Sequence, residues 1–125
     1  MAKILAVEDS AINLRLTVLA LEMAGHSVLQ ALDADAGLAL VHATYPDLIL
    51  MDIHLPGKNG MEAAALLKNN SCTRPIPIVA LTALVMKGDE EYILSAGFDG
   101  YLAKPFHYQE LWHVVAAQLA KRAAH

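Results

Sequence analysis

Leu48-Ile49-Leu50-Met51-Asp52-Ile53-His54-Leu55-Pro56-Gly57 is the stretch on which the reading of the fold turns. Four apolar residues run without a break, stop at one aspartate, and are followed closely by a Pro-Gly turn. A short continuous apolar run reads as a strand buried on both faces, the habit of parallel sheets with helices on either side. A carboxylate at the end of such a strand points at the rim of the sheet, where open α/β folds bind their ligands. Asp52 is therefore the first candidate site residue.

Outward from this strand the chain alternates. Ala2 to Val7 is a first apolar strand ending at Glu8-Asp9, and Ser10 or Asn13 can cap the helix that carries Leu14, Leu16, Val18, Leu19 and Met23. Gly25 closes that helix, Ser27 to Ala31 is a weaker second strand, and Asp33 or Asp35 opens a second helix that Pro46 forbids from continuing. After Asp52, Asn59 and Glu62 stand as in a capping box and start a third helix to about Lys68. Asn69 to Pro77 is loop, and Ile76 to Leu81 is the fourth strand, ending at Thr82. The fourth helix carries Asp89, Glu90 and Glu91 near its start, where its dipole favours negative charge, and stops at Gly97. Gly100 to Ala103 is a short fifth strand before Lys104-Pro105, and about His107 to Ala120 is the last helix. Strand–helix alternation with right-handed crossovers predicts an α/β fold: a doubly wound five-stranded parallel sheet, order 2-1-3-4-5, in a flavodoxin-like three-layer sandwich.

The totals agree with one domain over residues 1–125. A chain of 125 residues has room for one core, and a composition 56% hydrophobic against 18% charged excludes disorder. No apolar run reaches the ~18–20 residues of a membrane span, and the N-terminus lacks a signal-peptide layout. The lone Cys72 cannot form an internal disulfide, so a cytoplasmic setting is expected. The net charge of −4 and the lack of a basic cluster argue against direct nucleic-acid binding.

With all strands parallel, Glu8, Asp9, Asp52, Thr82 and Lys104 collect at one edge. Three converging carboxylates repel one another, and a divalent cation relieves this. Oxygen donors with no His or Cys cluster point to Mg²⁺, with Mn²⁺ as a second choice. The cation's open positions suit a phosphoryl group: Thr82 can hydrogen-bond one of its oxygens, Lys104 can neutralise another, and Asp52 is poised as nucleophile.

These residues, in this order and spacing, resemble the receiver domain of two-component response regulators along the whole chain. The features are Glu8-Asp9, Asp52 closing an apolar strand, Pro56-Gly57, Thr82-Ala83 and Lys104-Pro105; the segment through Met86-Lys87-Gly88-Asp89 is similar to single-domain regulators of the DivK type. The resemblance implies phosphorylation of Asp52 by a sensor histidine kinase or histidine phosphotransfer protein. It implies Mg²⁺ held by Asp9, Asp52 and the backbone carbonyl of His54, with Glu8 acting through water. It implies Thr82 and Tyr101 as a switch pair, Lys104 on the phosphoryl, and a cis Lys104-Pro105 bond. A downstream protein would then read the face made by the fourth helix, fifth strand and fifth helix. Glu8 stands where many members carry Asp. His54 and Leu84 flank the phosphoryl, and such bulk should exclude water and keep the phosphorylated form from being especially short-lived. Such a chain would not be an enzyme beyond its own phosphorylation and dephosphorylation.

The other readings are weaker. No residues follow the last helix for an output domain, so the chain is expected to act through protein contacts unless it is an excised receiver of a larger hybrid kinase or regulator. A haloacid-dehalogenase-type phosphatase wants a second Asp two residues after the nucleophile, where His54 stands. A flavin or nucleotide carrier wants a Gly/Ser/Thr-rich loop after the first strand, where Glu8-Asp9 stand. The six histidines, His26, His42, His54, His107, His113 and His125, lack ligand spacing. Trp112 lies off the apolar stripe of the last helix and is divided between core and contact roles.

Overall fold

Five parallel strands form one sheet in the order β2-β1-β3-β4-β5, as the alternation predicts. The computed structural model describes residues 2–55, 57, 59–83 and 89–123, with the backbone alone at 89, 90, 122 and 123. The strands are β1 (Lys3–Val7), β2 (Ser27–Ala31), β3 (Leu48–Asp52), β4 (Ile78–Thr82) and β5 (Gly100–Ala103). The helices are α1 (Ala11–Met23), α2 (Ala34–Thr44), α3 (Gly60–Lys68), α4 (Asp89–Ser95) and α5 (Tyr108–Ala123). Burial follows sheet position. Every residue of β3 and β4 is buried, whereas β2 and β5, at the edges, are partly open.

Alternation along each strand divides the core in two. Leu5, Val7, Ile49, Met51, Ile78 and Ala80 face one side, against Val41 of α2, Ala63 and Leu67 of α3 and Ile93 of α4. Ile4, Leu48, Leu50, Val79, Leu81 and Leu102 face the other, against Leu21 of α1 and Leu111 and Val115 of α5. Each face is closed by its own helices, which is why the two central strands, β3 and β4, stay apolar until their last residues, Asp52 and Thr82.

The caps settle what the sequence leaves open. Ser10, not Asn13, caps α1 by accepting the Asn13 N–H at 3.3 Å. Asp33, not Asp35, caps α2, accepting from Ala36 at 2.7 Å. Asn59 caps α3 by accepting from Glu62 at 2.9 Å. Gly25 and Gly97 take positive φ after α1 and α4, but α2 ends on a left-handed Tyr45 before Pro46.

The boundaries of three elements move. β1 begins at Lys3 rather than Ala2. β4 begins at Ile78 rather than Ile76, because the Ile76 N–H turns back to Thr73 and Pro77 has no N–H to give. α5 starts one residue later than expected and runs three further, to Ala123; His107 precedes it and donates its N–H to Glu110 Oε1 at 3.2 Å. Pro56, Leu84, Met86, Lys87, Gly88 and His125 lie outside the described residues.

Candidate functional site

The alternation that builds the two cores also aims the site. Glu8 continues the row of Ile4 and Ala6, Asp52 the row of Leu48 and Leu50, and Lys104 the row that includes Leu102. All three therefore leave the sheet on the α1–α5 side of its carboxyl edge. Hydrogen bonds carry the ladder past the strand ends: Glu8 N–H to Ala31 at 3.1 Å, Ile53 N–H to Leu81 at 3.1 Å, Lys104 N–H to Thr82 at 2.8 Å. The chain is thus held rigid where the polar side chains emerge.

There Lys104 Nζ bridges two buried carboxylates, 2.6 Å from Glu8 Oε2 and 2.8 Å from Asp52 Oδ2. Glu8 is 3% exposed and Asp52 5%, while Asp9 is open to solvent. The Asp52 Oδ1 atom accepts the His54 backbone N–H at 2.9 Å. Carboxylate oxygens of Glu8, Asp9 and Asp52 lie within 4.8 Å of one another.

The electrostatics follow from this crowding. Burial raises the Glu8 pKa, the charge of Asp52 raises it further, and the hydrogen bond from Lys104 only partly opposes them. Lys104 is pulled down by burial, but its hydrogen bonds to Asp52 and Glu8 outweigh that, so its pKa is raised and it stays charged. Three carboxylates against one ammonium leave an excess of negative charge at this edge, two of the three carboxylates being buried. An all-oxygen donor set with that charge excess fits Mg²⁺, and no histidine ring or thiol joins it among the described residues.

Thr82 and Tyr101 arrive from the other side of the sheet. Thr82 follows Leu81, the register partner of Asp52, and is 1% exposed. Tyr101 pairs with Ala80 on β4 and is half-buried against the core that includes Ile93 and Phe98. Both lie on the α3–α4 face, so the sheet separates them from Lys104 while placing Thr82 at the same rim. The Lys104-Pro105 peptide is cis, as the resemblance implies.

Some functional geometry is invisible in the sequence. The resemblance gives His54 a carbonyl role, but its N–H also fixes the Asp52 carboxylate. Glu8, expected to act through water, is also the direct partner of Lys104. Gly60 matters because α3 begins against the end of β3, at Asp52 and Ile53. Its N–H donates to Ile53 O at 2.9 Å, and a Cβ there would strike Asp52 O and come within 2.9 Å of Ile53 Cα. The Asn59-Gly60 pair marks a turn, but nothing local says whose backbone it meets.

The remaining expectations resolve simply. Trp112 turns inward, and its Nε1–H donates to Ala20 O of α1 at 2.7 Å while its ring meets Tyr108 edge-on. His42, His54, His107 and His113 are exposed, and His26 accepts the Ala2 N–H at 3.2 Å. Cys72 is exposed. Among the described residues no helix is long and apolar enough to cross a membrane.

Comparison with known proteins agrees with this geometry. The family model "Response regulator receiver domain" matches residues 4–116. The chain is 39% identical over 102 residues to the polar-differentiation response regulator DivK of Brucella ovis, covering 82% of this chain and 83% of that protein. It superimposes on the chemotaxis response regulator CheY4 of Vibrio cholerae with a TM-score of 0.89 at 29% identity, covering 94% and 98% of the two chains. It superimposes equally well on the receiver domain of a sensor histidine kinase of Pseudomonas aeruginosa, with TM-score 0.88, 34% identity and coverage of 95% and 98%; that structure carries a magnesium ion in its active-site cleft. With two buried carboxylates and a lysine in one cup, on a sheet ordered β2-β1-β3-β4-β5, this chain belongs to the response regulator receiver domain family.

Proposed function

We propose that the chain is a phosphorylation-dependent switch that accepts a phosphoryl group on Asp52. The observation that carries this reading is the Lys104 ammonium held between Glu8 and Asp52, beside Asp9, at the carboxyl edge of the sheet. In the transfer, an Asp52 oxygen attacks phosphorus in line, the phosphorus–nitrogen bond of a phosphohistidine breaks, and the imidazole leaves. Asp9, Asp52 and the His54 carbonyl, with Glu8 through water, would hold Mg²⁺, which when bound neutralises charge on the transferring oxygens. The His54 N–H steadies Asp52, and Lys104 already stands where a second anionic oxygen would arrive.

The new group adds about −1.5 to −2 charge and three strong acceptors. Thr82 moves toward it, and Tyr101, on the same face, turns into the space released. The surface of α4, β5 and α5 changes shape and its affinity for a downstream protein changes with it. Exposed Tyr92 and Leu94 on α4 suit such a contact. A sensor histidine kinase or histidine phosphotransfer protein would be the donor, and the setting would be cytoplasmic. His54 is exposed and stands where a phosphatase of the haloacid dehalogenase type needs its acid/base Asp, so that reading is not favoured.

The test is to add Mg²⁺ with a small acyl phosphate and follow intact mass. Wild type gains one phosphoryl and Asp52→Asn gains none; equal labelling of the two proteins would refute the assignment.

A further inference from the structure

Helix α1 is apolar on the side where a surface helix is ordinarily polar. Leu14, Val18 and Leu21 face the sheet and are buried. Ile12, Leu16, Leu19 and Met23 form a second stripe on the opposite side, 75%, 61%, 46% and 73% exposed. At about 100° per residue these four fall within a narrow band pointing away from the sheet. Grooves of about 810 Å³ and 620 Å³ run along the two flanks of this ridge. Leu32 and Asp33 line one groove, and Phe106 and Tyr108 the other.

We propose that this face is the interface with a second copy of the chain, the two α1 helices packing antiparallel about a two-fold axis. The stripe is self-complementary. Its spacing of four, three and four residues reads the same in both directions, so a two-fold sets Ile12 against the partner's Met23 and Leu16 against the partner's Leu19. The charges select the direction. Arg15 is the one base and Glu22 the one acid on α1, both exposed on the same flank, and neither pairs with a charge of its own chain among the described residues. In an antiparallel two-fold that flank meets its own copy, bringing Arg15 beside the partner's Glu22 twice per dimer. A parallel pair would instead set this flank against Asn13 and Ala20, with no charge to meet. Two stripes with their margins bury on the order of 1,000 Å², the lower end of specific interfaces, so the dimer is weak and concentration-dependent. It does not depend on the proposed phosphoryl chemistry, because α1 is formed without it.

Sedimentation equilibrium from about 1 to 500 μM spans the affinity expected of such an interface. A monomer–dimer equilibrium is expected, abolished by Leu16→Glu with the fold intact by circular dichroism. Arg15→Glu and Glu22→Arg should each weaken it about fivefold, and the double reversal should restore it. A wild type that stays monomeric throughout overturns the proposal and leaves the stripe to a helix of a different protein. Self-association that Leu16→Glu does not touch, or charge reversals that fail to compensate, overturns it equally.

Discussion

The electrostatics of the candidate site are concentrated in the Lys104 ammonium, which compensates two buried carboxylates at one edge. Truncating it leaves the buried carboxylates of Glu8 and Asp52 facing each other uncompensated, the situation in which removing one partner of a buried pair is most costly. Lys104→Ala should lose about 2–3 kcal/mol in urea unfolding without metal, and added Mg²⁺ should recover most of the loss. Glu8 supplies the pH dependence. Its pKa is raised by burial and by Asp52, so the native state holds that proton more tightly than the unfolded chain does. That contribution to stability is fully present below the unfolded pKa and is lost as pH rises through the raised native value. A cation needs the charged form. The rise in melting temperature caused by Mg²⁺ should therefore be largest above the native pKa of Glu8 and shrink as pH falls through it. Thermal melts with and without Mg²⁺, taken from neutral pH down into the ordinary carboxylate range, should show this slope, and Glu8→Gln should flatten it.

At the scale of elements, the site depends on how closely α3 approaches the end of β3. The Gly60 N–H closes on Ile53 O, and the backbone of Asp52 and Ile53 fills the place a side chain would need. Those obstructing atoms are backbone and cannot swing aside. Gly60→Ala should cost about 2 kcal/mol in urea unfolding and slow the labelling of Asp52, since the peptide that must shift is the one that carries the proposed nucleophile. A substitution acting on stability alone would leave the labelling rate unchanged, which separates the two effects. The caps Ser10, Asp33 and Asn59 act more locally, each satisfying one N–H of a helix start.

Across the whole molecule, the first and last helices share one face of the sheet, and Trp112 ties them. Its indole donates near the C-terminal end of α1, where carbonyls lack the N–H of a following turn. Trp112→Phe keeps a ring beside Tyr108 but deletes this bond, and should cost about 1 kcal/mol in urea unfolding while leaving Asp52 labelling at its wild-type rate. The bond joins residues 92 apart in the chain, so it forms only once the sheet is assembled.

The order of elements, the sheet topology and the gathering of Glu8, Asp9, Asp52, Thr82 and Lys104 at one edge were all readable from the residues. Apolar runs that end in polar residues name both the strand and its functional end, and parallel strands must bring those ends together. The sequence could not say that Lys104 would reach Glu8 and Asp52 at once, that the His54 N–H would hold Asp52, or that Trp112 would turn in toward Ala20. Nor could it say why position 60 must be glycine. Each of those depends on distances between segments far apart in the chain. Periodicity records which face a residue takes, whereas only the packed layers decide what stands opposite it.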